Sequence, residues 1–189
     1  MFLDELINRA VRKAMRETRV SMPARIVSYD AGARRARVQL LQPDRTEDGK
    51  TVAQPVITDV PVFMPIGGGA SITTPIGGGD TGIVIFADQD IGGWVADGDT
   101  SPPDSGRRHS MSDAMFMPGD GRSAADADNV VISFGGASIT LDPGGGVTIV
   151  APGGVEITSP TLTHNGVNVG DDHVHSGVEP GGANTAGPE

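Results

Sequence analysis

Cysteine is absent from this chain of 189 residues, and aromatic residues make up only 4% of it. The first absence excludes disulfide bonds and thiolate chemistry. Apolar runs are short, and none approaches the ~20 residues of a membrane helix. A signal peptide is not indicated, because the acids Asp4 and Glu5 stand where a basic segment belongs. We therefore expect a soluble protein that is made in the cytoplasm.

Positive charge is also scarce outside the N-terminal part. The formal net charge is -10, yet residues 1–37 carry nine Lys or Arg and four Asp or Glu, against five and twenty in the rest. An acidic body repels nucleic acid and anionic lipid headgroups. We therefore expect no nucleic-acid partner, and we interpret the basic start as a docking segment for a protein.

The N-terminal segment, residues 1–22, predicts a helix that spans about residues 2–19 and ends before Pro23. Leu3, Ile7, Ala10 and Ala14 share one face of it. The helix either packs on its own domain or docks on a neighbour, which includes a bundle of three copies; the sequence leaves these open.

Residues 23–100 predict a small β-barrel of the OB type, because several short alternating strands follow one another within about 75 residues. Two repeats, Pro65–Gly69 and Pro75–Gly79, resemble a phosphate-binding loop only superficially, since neither continues into Gly-Lys-Ser/Thr and a helix. We interpret them as hairpin turns. Asp88 and Asp90 are expected to be surface charge.

Residues 101–129 are polar and predict a linker. The cluster Arg107-Arg108-His109 is expected to be a solvated turn or an ion pair between chains. Asp126 and Asp128 are interpreted as surface charge, because no recurring ligand spacing surrounds them.

Residues 130–163 carry apolar couplets at a spacing of eight: Ile139/Leu141, Val147/Ile149 and Val155/Ile157. Residues i and i+2 of a strand point to one face, so each couplet turns two side chains inward. Short strands between Gly/Pro turns are typical of a β-helix or β-prism. Bulky residues are too few here for one chain to form a core, so we predict an intertwined homotrimer.

Residues 164–189 predict an apex with a metal site. His173 and His175 are spaced i, i+2, and three chains would supply six imidazoles to an octahedral ion. Iron, zinc and nickel all accept imidazole, and six nitrogens favour an octahedral ion over tetrahedral zinc. His164 and His109 are interpreted as structural.

Catalysis is not predicted. No Ser/His/Asp or Cys/His motif is recognisable, and no paired carboxylates stand in an obvious apolar pocket. A metal with six protein ligands has no open position for a substrate. We expect neither an enzyme nor a small-molecule substrate.

The chain resembles the baseplate central spike proteins of contractile-tailed bacteriophages, the Mu-like spike or baseplate assembly protein V family. The resemblance covers most of the chain, and four segments carry it: 23–27, 82–86, 107–114 and, most specifically, 163–178 with Pro188. It implies a mainly β fold with an N-terminal helix, an OB-fold barrel, an intertwined trimeric β-helix or β-prism, and a metal-binding apex.

The family resemblance also implies partners and a role. It implies one iron per trimer, bound by His173 and His175 of each chain. Calcium and chloride also occur in such apices, and Asp171-Asp172 is the first place to look for their ligands. The barrel would attach to the tail hub of the baseplate, and the needle would pierce the host outer membrane during contraction. The protein would then be part of the virion.

Two other functions remain open at this stage. A trimeric fibre or adhesin binding a host glycan at its tip would share the rod but would carry aromatic residues near the apex. A small metalloenzyme using His173 and His175 would need an open coordination position and a carboxylate base nearby.

Overall fold

The computed structural model describes residues 3–46, 48–170, 173 and 177, and it divides into two units, Met1–Ser123 and Ala124–Glu189. The first unit contains two α-helices and nine strands: α1 Leu3–Glu17, β1 Ser21–Asp30, β2 Arg35–Leu40, β3 Asp44–Arg45, β4 Thr51–Val52, β5 Val56–Pro61, β6 Ile66–Gly67, β7 Ala70–Ser71, β8 Thr81–Phe86, α2 Gly92–Asp97 and β9 Ala114–Pro118. The second contains five strands: β10 Val130–Phe134, β11 Ala137–Leu141, β12 Val147–Val150, β13 Thr163–His164 and β14 Val167–Asn168. The prediction of a mainly β protein with an N-terminal helix is confirmed.

Helix α1 is shorter than the sequence predicted. Acidic residues open it and Arg16 lies in its last turn, an order that complements the helix dipole. It ends at Glu17, and Pro23 lies three residues into β1. The helix ends before Pro23, as the sequence predicted, but Pro23 is not the residue that stops it. Proline is compatible with extended backbone near the start of a strand, and the Pro23 carbonyl accepts a hydrogen bond from the Leu41 amide at 2.9 Å.

The main sheet of the first unit is a half-barrel of five antiparallel-paired strands in the order β5-β2-β1-β8-β9. Its two edge strands approach each other: Val62, just after β5, forms a parallel bridge with Phe116 of β9. The Phe63 amide also donates to the Phe116 carbonyl at 2.9 Å. The inward positions alternate along the strands, and they supply the buried apolar residues of the unit: Ala24, Ile26, Ala36, Val38, Leu40, Ile57, Val60, Val62, Val84, Phe86, Ala114 and Phe116.

Residues 101–129, expected to be a linker, contribute strand β9 to this sheet. Ala114 and Phe116 are buried, and β9 pairs with β8 along its full length. Gly82 of β8 makes the pairing possible, since a Cβ there would lie 2.3 Å from the Met117 carbonyl oxygen. The linker prediction missed this strand, although Ala114–Met117 form a short apolar run within a mostly polar stretch.

The first glycine repeat forms the hairpin turn between β6 and β7. Gly68 and Gly69 both have positive φ, 59° and 82°, which glycine adopts without steric cost. The second repeat forms a turn that leads into β8, where the Asp80 carboxylate accepts a hydrogen bond from the Gly77 amide at 2.8 Å. The interpretation of both repeats as turns is confirmed, although only the first is a hairpin.

The second unit consists of two separate small sheets. Strands β10, β11 and β12 form an antiparallel meander, and β13 pairs with β14 across a turn at Asn165-Gly166. Val155 and Ile157 lie in no strand of the chain. The couplets therefore do not form a β-helix within one chain: two of them belong to the meander, and the third has no intramolecular strand partner.

Within the described part of the chain, neither helix combines the length and apolar character that crossing a lipid bilayer requires.

Candidate functional site

One face of the β10–β11–β12 sheet is apolar throughout. The register aligns Val130, Leu141 and Val147 in one cross-strand row, and Ile132, Ile139 and Ile149 in the next. Phe134 and Ala137 extend the same face. We call these eight residues the apolar face. Two of the three predicted couplets supply half of it, and β10 supplies a third strand of the same pattern.

The opposite face of this sheet is mixed. It aligns Val131, Thr140 and Thr148 in one row, and Ser133, Ser138 and Val150 in another. Thr140 and Thr148 therefore lie on the face opposite the couplets. Alternation along each strand separates an apolar surface from a hydroxyl-bearing one.

The apolar face is exposed in the single chain. Phe134 is 74% exposed, Ile132 63% and Val147 63%. Among described residues 124–170, 173 and 177, none is buried. A contiguous exposed apolar face of this kind marks an interaction surface, because leaving it in water forfeits the main driving force of folding.

Helix α1 carries a second exposed apolar stripe. Leu3, Leu6, Ile7, Val11 and Met15 are all at least about half exposed. The alternative in which this stripe packs on its own domain is not observed.

His173 is the one predicted metal ligand that the structure describes. Its Nδ1 lies 2.6 Å from the Gly170 carbonyl oxygen, an acceptor, so Nδ1 carries the proton that is donated there. In the neutral form of the ring, the Nε2 then carries the lone pair. A second-sphere carbonyl that holds one ring nitrogen is how proteins orient a histidine for metal binding through the other.

For the remaining residues of the predicted apex, the structure gives less information about metal binding. His175, Asp171 and Asp172 lie outside the described residues. His164 ends β13, and the side-chain amide of Asn165 donates to its Nε2 at 3.3 Å. No group of three or more His, Cys, Asp or Glu within the described residues of the chain is placed to hold a metal ion.

The cluster Arg107-Arg108-His109 forms ion pairs inside the first unit. Arg107 bridges two buried carboxylates: its Nη2 lies 2.7 Å from Asp90 Oδ1, and its Nε lies 3.0 Å from Asp113 Oδ2. Both carboxylate side chains are only 2% exposed. We call Asp90, Arg107 and Asp113 the Arg107 clasp. The expectation of a solvated turn or an inter-chain ion pair is wrong for Arg107, and the expectation of surface charge is wrong for Asp90.

Hydrogen bonds hold the Asp90 carboxylate in its charged form. The Ser105 hydroxyl donates to it at 2.6 Å, the Gly92 amide donates at 2.9 Å, and Arg107 adds a positive charge. These contacts, the Ser105 bond first, lower the pKa of Asp90 below its ordinary value. The hydrogen bonds that Arg107 donates to the Asp113 carboxylate raise the pKa of Arg107. The clasp ties α2 and the loop before β9 together, and Arg107 occupies the space between the two carboxylates.

The other acidic candidates are on the surface. Asp88 pairs with Arg108 at 2.7 Å and with His109 at 3.3 Å, and its side chain is exposed. Asp126 is exposed as well, and its carboxylate accepts the Asp128 and Asn129 amides, which lower its pKa. The prediction of surface charge is confirmed for Asp88 and Asp126.

Comparison with known protein families matches residues 22–119 to the phage protein Gp138 N-terminal domain. The match spans more than half of the chain and coincides with the half-barrel unit. The chain therefore belongs to this bacteriophage family. This membership supports a role as a structural component of the phage tail or baseplate. A search of the curated proteins finds no match for it.

Proposed function

We propose that the protein is the trimeric membrane-piercing spike at the tip of a contractile phage tail. In this proposal the first unit attaches to the tail hub, the second forms an intertwined three-chain shaft, and the apex holds a metal ion. The phage family of the first unit and the resemblance of the C-terminal segment to central spike proteins support it.

The observation that carries the proposal is the apolar face in a unit without any buried described residue. A fully buried Val, Leu, Ile or Phe side chain contributes about 1.5–3 kcal/mol. None of the eight positions of the apolar face is buried in one chain, so the full contribution is not gained there. Two further copies, each with the same face, cover it, and their strands can also pair the edges of the meander.

Adjacent residues on opposite faces of β11 test the trimer. Ile139→Asp places a charge on the apolar face, and Thr140→Asp places the same charge on the other face. We expect the wild type and Thr140→Asp to sediment as trimers at micromolar concentration, and Ile139→Asp to sediment as a monomer with a folded first unit. A wild-type monomer, or equal effects of the two variants, would refute an apolar trimer interior.

The half-barrel is consistent with an OB-type barrel. Counting only its five strands along the chain, the sheet order is third-second-first-fourth-fifth, and the Val62–Phe116 bridge joins the third to the fifth. Closure of that kind removes open sheet edges. The exposed stripe of α1 and the basic residues around it are the surface that we propose for docking on the hub.

We propose that the apex metal is iron, one ion per trimer, held by His173 and His175 of each chain. The hydrogen bond from His173 Nδ1 to Gly170 supports a ring that presents Nε2 to a metal. Such an ion would tie together three chain ends that have no buried residue of their own among those described. Calcium and chloride belong to the same proposal, and Asp171-Asp172 is the first place to look for ligands of the calcium.

Elemental analysis of the purified protein tests the metal site. We expect one iron for every three chains, and loss of the iron in the double variant His173→Ala, His175→Ala. His164→Ala is the matched control, which should retain the metal. One metal per chain would contradict a site shared by three chains.

Piercing itself is mechanical, so we expect no substrate turnover. Deleting residues 164–189 should leave a blunt trimer that still assembles into tails. Particles with this deletion should adsorb to cells normally but deliver DNA less efficiently per adsorbed particle. If adsorption fails while entry per adsorbed particle is normal, the tip is a receptor binder.

The competing adhesin function predicts aromatic residues for sugar stacking near the tip. Residues 135–189 contain no Phe, Trp or Tyr. The sequence of the apex therefore favours piercing over glycan binding at the tip. A metalloenzyme would leave an open coordination position on the metal, which spectroscopy of the iron-loaded trimer would detect.

A further inference from the structure

A pocket of about 450 Å³ opens on the first unit, between the β1–β2 turn, the segment after β5 and helix α2. Its volume falls within the range of small-ligand sites. The residues of the pocket that matter for binding are two aromatics, two arginines and two aliphatics: Phe63, Trp94, Arg34, Arg35, Ile66 and Val95. None of them belongs to the apolar face, the apex or the Arg107 clasp.

The two aromatic residues form a stacked pair at the pocket. The ring centroids of Phe63 and Trp94 are 6.0 Å apart, with an interplanar angle of 18°. Both side chains stay exposed, 43% and 42%, whereas Phe116 in the core of the same unit is 0% exposed. A stacked pair that remains open to solvent offers a rigid aromatic surface at low entropic cost.

Positive charge stands beside this aromatic pair. Arg35 reaches Asp59 at 3.5 Å. Arg34 makes no side-chain hydrogen bond or ion pair with any residue in the described ranges, and its carbonyl accepts the Val62 amide at 3.1 Å. Its guanidinium therefore keeps its hydrogen-bond donors available to a ligand.

Arg34 also has an uncommon backbone conformation. Its φ is 52°, a left-handed value that costs roughly 1–2 kcal/mol for a residue other than glycine. Strain of this kind persists where the surrounding structure holds it, and it concentrates at binding sites. The tight turn sets Arg34 at the pocket rather than in the adjoining β2 ladder.

We infer that this pocket binds a carboxylated sugar. The aromatic pair can stack against the apolar face of a pyranose ring, and a guanidinium binds a carboxylate with two parallel hydrogen bonds. The site is independent of the trimer and of piercing, since it lies wholly within the first unit.

The position of the pocket in the strand order supports a saccharide. Five-stranded Greek-key barrels bind oligosaccharides with the loops that join their first and second strands and their fourth and fifth strands. Here the β1–β2 turn is the first of these loops, and α2 lies in the second, between β8 and β9. This support is an analogy of topology, so the binding measurement decides the case.

Trp94 is the only tryptophan of the chain, so its fluorescence reports this pocket alone. The full-length protein is titrated with galacturonic acid, with trigalacturonic acid, and with a neutral galactose trisaccharide. We expect a saturable change in fluorescence with both acids. The affinity for the neutral sugar should be about 10-fold weaker, because it lacks one charge-assisted contact. Tighter binding of trigalacturonic acid than of galacturonic acid would indicate a polysaccharide as the natural source, and equal binding would indicate a free sugar acid.

Variants separate the pocket from general charge effects. Arg34→Gln should weaken binding of trigalacturonic acid about 10-fold, and Phe63→Leu should weaken it as well. Arg25→Gln removes an exposed arginine outside the pocket and should leave binding unchanged. Equal effects of the two arginine variants, or no saturable response to either acid, would overturn the site. Ile139→Asp should bind like wild type, so failure of the trimer and failure of this site are distinguishable.

Discussion

The two units use the same alternating β pattern with opposite results. In the first unit the inward residues of five strands meet across a half-barrel and bury one another. In the second, three strands make a single layer whose apolar face is left exposed by the described residues. A sheet needs a second layer to bury its face. Alternation therefore specifies which face of a sheet is apolar. The number of strands decides whether one chain has a second layer to cover that face.

A pair of phenylalanine substitutions sharpens this comparison most. Phe116 is fully buried and Phe134 is 74% exposed in the single chain. Phe116→Ala should lower the free energy of unfolding of the first unit by about 3–5 kcal/mol. Phe134→Ala should leave that unit unchanged, within about 0.5 kcal/mol, but weaken the trimer. Denaturant titration followed by Trp94 fluorescence measures the first effect, and sedimentation measures the second.

If Phe134→Ala lowered the stability of the first unit as much as Phe116→Ala does, the two units would not be independent.

The Arg107 clasp allows a smaller perturbation confined to the first unit. Arg107→Gln leaves Asp90 and Asp113 without their shared cation in a buried setting, so the Tm of the first unit should fall. Arg108→Gln breaks only the exposed pair with Asp88 and should have almost no effect on Tm. Thermal unfolding of both variants checks the difference, and equal Tm values for the two would mean that the clasp does not stabilise the loop.

The two units should respond to acid in different pH ranges. The folded-state pKa of Asp90 is lowered from 3.8, so its stabilising contribution is present above that pH and is lost as pH falls through the lower folded value. A metal held by His173 and His175 should instead be released as pH falls toward or below ~6.5, because only neutral imidazole binds.

The acid effect is measured by parallel titrations of bound iron and of Trp94 fluorescence. Iron should leave first, while the first unit stays folded. Ser105→Ala removes the largest contact that lowers the pKa of Asp90, and it should reduce the acid sensitivity of the first unit only. Simultaneous loss of both signals would contradict separate titrating groups.

Part of the fold and site could be predicted because it depends on local patterns. The spacing of Leu3 and Ile7 indicated α1, and the i, i+2 couplets indicated the apolar face. The Arg107 clasp could not be predicted, because Asp90 is distant in sequence from Arg107 and no spacing rule links an arginine to a carboxylate six positions later. The aromatic pair was missed for the same reason: Phe63 and Trp94 are 31 positions apart in the chain and meet only when the segment after β5 comes close to α2.

Side-chain identity alone establishes which residues are apolar, where glycine permits a turn, and that the C-terminal part is poor in bulky side chains. These properties are local, since they depend on side-chain chemistry and on neighbours within a few residues. The tertiary structure decided which strands pair, that Phe116 closes the half-barrel over Gly82, and that Asp90 is buried rather than exposed. Those outcomes depend on contacts between distant segments, whose free energy appears only when the whole sheet has formed.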